Sequence, residues 1–233
     1  MCRTSRSAEA ARLLLAGLAA LGACSANEQN RSCPPLDSLA PWAVVSRTWS
    51  IETGLRWSND SLRQVLLGLA EQDQAARKDF GARVMDSSYA RELGDLDRDL
   101  AARLSALLDR FGLPTRSMVG AAGSDAAFLV VQHNESLQKR VLALAHQAPA
   151  GEVSPQALAM LEDRVLVHEG RPQRFGTQFT IQADGRMRFA ETEETAGLAA
   201  RRTAAGLPPL SQYTCLMEES GMVIDRSSLP PRL

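Results

Sequence analysis

The sequence of 233 residues has few aromatic side chains and almost balanced charge. Aromatic residues make up 5% of the chain, and the formal net charge is −1. Low aromatic content beside abundant alanine, leucine and arginine favours helices over a large β-sheet. Because a nearly neutral chain has no excess of basic residues, the composition gives no bulk attraction to nucleic acid, and no nucleic-acid partner is expected.

The sequence also lacks the motifs that mark metal, phosphate or acyl-transfer chemistry. His133, His146 and His168 do not have the spacing of metal ligands, and no H-E-x-x-H or paired C-x-x-C pattern occurs. No G-x-S-x-G nucleophile elbow and no G-x-x-x-x-G-K phosphate loop occurs. We therefore expect neither a metal site nor a cofactor. The motifs leave open whether the protein is an enzyme.

Residues 1–23 have the pattern of a lipoprotein signal peptide. Three arginines precede a short apolar run, residues 13–21, which cannot span a bilayer as a permanent helix. Leu21-Gly22-Ala23-Cys24 then matches the bacterial lipobox, whose cysteine is acylated before cleavage; the alternative is an ordinary signal peptide with a coincidental cysteine. Ser25 stands where an aspartate would oppose sorting to an outer membrane. The prediction is an envelope protein that is lipid-anchored at Cys24, on the outer membrane and facing the periplasm.

Two further cysteines, Cys33 and Cys215, follow Cys24 in the mature chain. In an oxidising compartment these two cysteines can form one disulfide. Such a bond would tie the start of the mature chain to its C-terminal end. The alternative is a pair of free thiols in poorly ordered ends.

The mature chain is predicted to hold one mainly α-helical domain of five to six helices. Residues 24–57 are rich in Ser, Asn and Pro and are interpreted as a tether. The helical domain is expected over residues 58–213, and residues 214–233 are interpreted as a loosely held tail. Three tryptophans in or just after the tether are expected to dock it on the domain; the alternative is that they contact lipid or a partner: Trp42, Trp49 and Trp57.

Periodicity and turn residues divide this domain. Leucines at helical spacing predict a helix over residues 93–111, and the glycines at 120–123 are expected to break the chain. Asp184-Gly185 lies between segments of alternating polarity, which predicts one small β-hairpin over residues 173–190. The hairpin is expected to precede the last helix, over residues 191–205.

Polar residues set into apolar segments are the first candidates for function. Asp163 and Arg164 interrupt an apolar helix, and each needs a partner if it is buried. They either serve the fold, as an ion pair or as a carboxylate that holds the hairpin backbone, or form a pocket floor with Arg164 as an anion clamp. Gln132 and His133 end an apolar run, and His133 is either a hydrogen-bonded core residue or a general base.

The segment from Gln173 to Gln178 is the second candidate. Gln173, Thr177 and Gln178 place amide and hydroxyl groups around Gly176. Either the backbone at Gly176 approaches a ligand closely, or the hairpin needs glycine for its φ angle. The predicted pocket comprises Gln132, His133, Asp163, Arg164, Gln173, Gly176, Thr177 and Gln178, without a metal.

Taken together, these motifs resemble a bacterial family known only as a domain of unknown function, numbered 6624. The resemblance runs from Leu62 to Tyr213 and depends on these motifs in this order: Asp73-Gln74 with Arg77, Gly112-Leu113-Pro114, Val119-Gly120, Gln132-His133, Asp163-Arg164, Gln173 through Gln178, and Arg201-Arg202 before Gly206-Leu207. Phe175 stands where such proteins more often have tyrosine, so an activity that needs a phenol hydroxyl would be absent here. The resemblance implies a domain and no mechanism.

Two functions remain open. The first is a lipid-anchored binding module for a protein or peptide partner, for example an immunity-type lipoprotein that blocks an incoming toxin. The second is an envelope hydrolase-like enzyme in which His133 is the base and Asp163 orients it. In that enzyme Arg164, Gln173 and Gln178 hold an anionic or amide-bearing substrate, which predicts that these side chains meet in one cleft.

Overall fold

The computed structural model describes Cys33, residues 41–51 and residues 56–230, without the side chains of five residues in the first helix. In this part of the chain, helices predominate, as predicted, and a small sheet accompanies them. The helices are α1 (Pro41–Ser50), α2 (Asp60–Arg77), α3 (Phe80–Arg83), α4 (Ser87–Phe111), α5 (Arg116–Val131), α6 (Glu135–Gln147), α7 (Pro155–His168), α8 (Leu198–Ala204) and α9 (Leu210–Glu219). The strands are β1 (Phe179–Ile181), β2 (Met187–Phe189) and β3 (Ile224–Asp225), and a 3-10 turn (Arg226–Ser228) follows them.

Side-chain caps set the starts of the main helices. Asn59 accepts a hydrogen bond from the Leu62 backbone and begins α2, and Ser154 caps α7, which has Pro155 in its first turn. Asp86 accepts from two backbone N–H groups and begins α4 at Ser87, six residues before the predicted start at residue 93. The leucine periodicity missed that first part of the helix because its residues are mostly polar.

The main core lies where α2 packs against α5, with α4, α6 and α7 around them. Leu66, Leu69, Leu104 and Val119 are completely buried there. The predicted chain break at residues 120–123 is instead a kink inside α5, where Gly120 has φ 73°. The helix resumes at once after that residue, which is why the glycine signal was mistaken for a loop.

The second half of the chain packs around the sheet. The hairpin prediction is confirmed: β1 and β2 pair antiparallel, and Gly185 has φ 79° in the turn between them. β3 adds parallel to β2 and completes a sheet that sequence periodicity did not predict. A small apolar cluster of Tyr213, Met217 and Ile224, with Met187 and Met222, joins α9 to this sheet.

Two expectations for the C-terminal region are wrong. The helix predicted over residues 191–205 begins only at Leu198, because the chain before it pairs with Gln173, whose N–H donates to the Glu191 carbonyl at 2.8 Å. The predicted loose tail forms α9 and β3, with Met217 and Ile224 buried. Both errors arise because partners distant in sequence decide the local conformation.

The predicted disulfide between Cys33 and Cys215 is confirmed, with the two Cα atoms 5.7 Å apart. Cys215 lies in α9, and the backbone N–H of Cys33 donates to the Glu219 carboxylate at 2.9 Å. Cys33 is therefore fastened beside the end of α9.

Part of the predicted tether is helical and packs on the domain. Trp49 on α1 is 4% exposed, and its indole N–H donates to the Asp125 carboxylate at 3.0 Å. Trp57 donates to Asp60 at the surface. The Trp42 side chain, the signal-peptide prediction and Cys24 lie outside the described residues. In the described residues, no helix has the length and apolar content that a membrane crossing requires.

Candidate functional site

The neighbours Asp163 and Arg164 lie on α7 and face different surroundings. Successive side chains on a helix point about 100° apart. Asp163 is completely buried against the segment that precedes β1, whereas Arg164 is partly buried and lines a cleft beside Gln132. The predicted pair therefore belongs to two separate arrangements.

Asp163 holds the backbone of the segment from Gln173 to Gln178. Its carboxylate accepts from the backbone N–H groups of Arg174 at 2.7 Å, Phe175 at 2.9 Å and Thr177 at 3.0 Å, and from the Thr177 hydroxyl at 2.9 Å. Burial raises the pKa of Asp163, and the four donors oppose that shift. With both oxygens occupied by this segment, Asp163 acts as a structural anchor.

The two glutamines of the segment complete its internal bonding. The Gln173 amide donates to the carbonyls of Ala190 at 2.9 Å and Gln178 at 3.2 Å, and it accepts from the Gln178 N–H at 2.8 Å. The Gln178 side chain donates to the Thr177 hydroxyl at 2.9 Å. Gly176 has φ 68°, and a Cβ there would lie 3.0 Å from the Phe189 ring. These groups bond to one another, so they are not directed at a ligand.

Arg202 and Tyr213 donate hydrogen bonds to the backbone carbonyls of the same segment. Arg202 is 1% exposed and donates to the carbonyls of Phe175 at 2.7 Å, Gly176 at 2.9 Å and Pro208 at 2.8 Å. Burial lowers its pKa to about 10. The Tyr213 hydroxyl donates to the Thr177 carbonyl at 3.1 Å. We call Asp163, residues 173–178 and Arg202 the loop anchor.

A second set of charged residues surrounds His133, and we call it the His133 cluster. It consists of Asp73 and Arg77 on α2, Asp97 on α4 and His133 after α5. The Asp73 carboxylate lies 2.8 Å from the Arg77 guanidinium and 3.7 Å from His133 Nε2, and it accepts from the Gln74 amide at 2.8 Å. Arg77 also pairs with Asp97. The carboxylate beside His133 is thus Asp73, so the predicted pairing of His133 with Asp163 is wrong.

Burial shifts the protonation equilibria of this cluster in opposite directions. It raises the pKa of Asp73 to about 6, against the attraction of Arg77 and the Gln74 hydrogen bond. Burial also lowers the pKa of His133 well below 6.5, and repulsion from Arg77 and Arg164 adds to that shift. His133 is therefore a neutral imidazole near pH 7, next to a carboxylate that titrates near pH 6.

Arg164 opens onto a small cleft, which we call the Arg164 cleft. The cleft has a volume of about 30 Å³ and is lined by Phe128, Leu129, Gln132, Ala157, Met160, Leu161 and Arg164. Burial lowers the pKa of Arg164; Tyr213 opposes that shift and Arg77 adds to it. Within the described ranges no hydrogen bond or carboxylate partner of Arg164 is found. A guanidinium with free donors in an otherwise apolar cleft can bind a carboxylate through two parallel hydrogen bonds.

The predicted pocket residues therefore do not meet in one cleft. Asp163 and the four predicted residues of the segment 173–178 belong to the loop anchor. Gln132 and Arg164 line the Arg164 cleft, and His133 lies beside Asp73. Sequence reasoning missed the roles of Asp73, Arg77 and Arg202, which it named only within the family resemblance. In the described part of the chain, the one cluster with metal-like spacing is Cys33, Cys215 and Glu219, and both of its sulfurs are used by the disulfide.

A family model described as a family of unknown function (DUF6624) matches residues 60–224. This range runs from the first residue of α2 to the first residue of β3, so it contains the loop anchor, the His133 cluster and the Arg164 cleft. No match was found among curated proteins or among solved structures. The family description names no activity, so a function has to be argued from the geometry.

Proposed function

The chain belongs to the family of unknown function DUF6624, and from this premise we propose that it is a lipid-anchored envelope protein that binds a carboxylate group of a protein or peptide partner in the Arg164 cleft. One observation carries the proposal: within the described residues, the Arg164 guanidinium has no protein acceptor.

The other two arginines buried in the domain have acceptors within the protein. Arg77 pairs with Asp73 and Asp97, and Arg202 donates to three carbonyls. Removing a cation from water without a counter-charge costs several kcal/mol, so an unpaired guanidinium is retained at a cost in stability. An external carboxylate would supply Arg164 with two acceptors, as groups of the fold supply acceptors to Arg77 and Arg202.

The size and lining of the cleft favour the end of a peptide or an acidic side chain. A volume of about 30 Å³ holds only a few atoms, whereas sites for whole cofactors are typically about 300 Å³ or larger. Phe128, Met160 and Leu161 provide apolar contact next to the polar groups of Gln132 and Arg164. An aliphatic stem that ends in a carboxylate matches this arrangement.

The anchor is argued from sequence alone. The lipobox ending at Cys24 would attach acyl chains to the mature N-terminus, and Ser25 favours sorting to the outer membrane. A protein held there would present the cleft to partners in the periplasm. Mass spectrometry of the N-terminal peptide from membrane-purified protein tests this part, and an unmodified Cys24 would contradict it.

Carboxylate binding is tested with a matched pair of ligands. We would titrate the protein with an N-acetylated Ala-Leu-Ala tripeptide that has a free carboxyl end, and with its C-terminal amide. NMR signals of the Gln132 side-chain amide and the Arg164 Nε–H group report binding. We expect the acid to bind and the amide not to bind, because only the acid offers two charged acceptors to Arg164.

The control variants separate this site from general electrostatic attraction. Arg164→Gln should abolish binding of the acid, whereas Arg98→Gln, which removes a charge from a side chain that is 72% exposed, should leave it unchanged. Equal binding of the acid and the amide, or equal effects of the two variants, would overturn the proposal.

A second candidate function is a hydrolase-like activity in which His133 is a general base. The observation that favours it is the neutral imidazole 3.7 Å from Asp73, a carboxylate whose pKa is about 6. This version replaces Asp163 by Asp73 as the orienting residue. Turnover of a panel of ester and amide substrates, lost in His133→Ala and kept in Arg98→Gln, would support it. Absence of turnover together with carboxylate binding would leave the binding function alone.

A further inference from the structure

An apolar groove lies between α3, the hairpin turn and the segment after α9. It has a volume of about 220 Å³ and is lined by Phe80, Gly81, Val84, Met85, Asp184, Gly185, Arg186, Met187, Gly221, Met222 and Val223. Met85 is 60% exposed and Val223 is 59% exposed, which makes them the most exposed large apolar side chains in the described residues. Two such side chains at one groove indicate an interaction surface.

Close backbone contacts fix the walls of this groove. A Cβ at Gly81 would lie 2.7 Å from the Ser220 carbonyl oxygen, so α3 lies directly on the turn after α9. A Cβ at Gly185, which has φ 79°, would lie 3.3 Å from Met85 Cγ. The groove is therefore built by three segments in van der Waals contact.

The disulfide brings the start of the mature chain to the same face. Cys33 is bonded to Cys215 in α9, and its backbone N–H donates to Glu219, the last residue of α9. The chain then continues directly into the groove wall, where Val223 lies four residues after Glu219. Cys33, from which the sequence leads back to Cys24, therefore lies beside the end of α9, two residues before the groove wall begins at Gly221.

The disulfide also shortens the connection to the lipid anchor. Cys24 lies nine residues before Cys33, and nine extended residues span at most about 32 Å. Without the disulfide, the first described contact with the domain is α1 at Pro41, 17 residues after Cys24. The bond therefore holds the α9 face of the domain within a short distance of the membrane surface.

We infer that the groove beside the disulfide docks on the lipid surface to which Cys24 is anchored, with Met85 and Val223 at the acyl–headgroup boundary. This inference rests on the proposed lipid anchor. Methionine suits such a surface because its flexible, polarisable side chain adapts to disordered partners. The anchor raises the local concentration of the lipid surface, so weak apolar contacts suffice for docking.

The charged side chains around the groove include two ion pairs, and the Asp184 carboxylate in the lining accepts from the Arg186 backbone N–H. Arg83 pairs with Asp86 at 2.9 Å, and Arg186 with Asp225 at 3.7 Å. A rim without an excess of positive charge offers little attraction to anionic headgroups, so docking depends on the apolar side chains and changes little with salt.

Oxidation of methionine by dilute peroxide tests the inference. The acylated chain in vesicles of phosphatidylethanolamine and phosphatidylglycerol is compared with the Cys24→Ser chain in buffer, and Met85 sulfoxide is measured by mass spectrometry. We expect Met85 to oxidise severalfold more slowly on vesicles, at low and at high salt. Met118, which is partly buried in the main core, is the internal control and should not change.

Two variants of the acylated chain sharpen the test. A Gly/Ser insertion of about 25 residues between Ser25 and Cys33 lengthens the tether without altering the disulfide and should weaken the protection of Met85. Val223→Glu should also weaken it, whereas Val65→Glu, at a residue that is 46% exposed on α2, should not.

The possible results distinguish a failure of the docking inference from a failure of the proposed lipid anchor. Acylated protein whose Met85 oxidises as fast on vesicles as in buffer would overturn the docking and leave the anchor intact. An N-terminal peptide without acyl chains would overturn the anchor, and the docking with it. Protection that appears without vesicles and rises with protein concentration would assign the groove to a second copy of the chain and overturn the lipid inference.

Discussion

Buried carboxylates and guanidinium groups lie on both sides of α7, but the two sides differ in how these groups are hydrogen-bonded. In the loop anchor, the Asp163 carboxylate and the Arg202 guanidinium each bond to several backbone groups of one segment. On the other side, Arg164 has no acceptor within the described residues, and Asp73 Oδ1 and His133 Nε2 lie 3.7 Å apart without a hydrogen bond between them. Polar groups that are bonded in this way stabilise the fold, whereas groups left without acceptors are where a ligand can bind.

The largest expected effect is on the loop-anchor side. Asp163→Ala removes the acceptor of three backbone N–H groups and of the Thr177 hydroxyl, and we expect it to lower the free energy of unfolding by about 3–5 kcal/mol. Urea denaturation measures this loss. The neighbouring substitution Glu162→Ala removes only a partly exposed pair with Arg174 and should cost less than about 1 kcal/mol. Similar small losses for both variants would remove the contrast between the two sides.

The second prediction concerns the pH dependence of stability through Asp73. The folded-state pKa of Asp73 is about 6 and its ordinary value is 3.8, so the folded protein holds this proton more tightly than the unfolded chain. The resulting stabilisation is fully present below pH 3.8 and is lost as the pH rises through 6. It amounts to about 3 kcal/mol. The difference in unfolding free energy between wild type and Asp73→Asn should fall by most of this amount from pH 4 to pH 7, and a constant difference would contradict the prediction.

His133 should produce the opposite dependence. Its folded-state pKa lies well below 6.5, so the stability that comes from its neutral form is present above pH 6.5 and is lost as the pH falls. His133→Gln cannot be protonated in this range and should lose less stability on acidification than the wild type. Chemical denaturation at pH 7 and pH 5 measures the two losses. Equal losses would mean that His133 titrates alike in both states, so that it is not the buried neutral group described above.

The sequence predicted the elements that local patterns determine. The turn at Asp184-Gly185 and the mainly helical domain are present, and the disulfide followed from a count of cysteines. Asp163 and Arg164 were identified because charged residues interrupted an apolar helix. The open alternative for Asp163, a carboxylate that holds the hairpin backbone, is the one that the structure contains.

The remaining parts depend on contacts between distant residues. Asp73 meets His133 across 60 residues of sequence, from α2 to the end of α5, and no local pattern indicates that pair. Arg202 stands in an Arg-Arg dipeptide that reads as an exposed helix face, yet it is 1% exposed because the loop anchor surrounds it. The helix α9 has Leu210, Tyr213 and Met217 at helical spacing, and these side chains pack in the cluster beside the sheet, so α9 belongs to the domain rather than to a loose tail.

The smallest expected change in stability tests the proposed ligand site directly. Arg164→Met removes a partly buried cation that has no acceptor in the described residues, and keeps most of its aliphatic volume. We therefore expect the free energy of unfolding to stay the same or to rise by about 1 kcal/mol. Arg202→Met is the matched control, because it strands three buried carbonyls and should cost about 3 kcal/mol. Thermal and urea unfolding measure both. A loss of more than about 2 kcal/mol for Arg164→Met would give Arg164 a structural role like that of Arg202, and the carboxylate site would lose its basis.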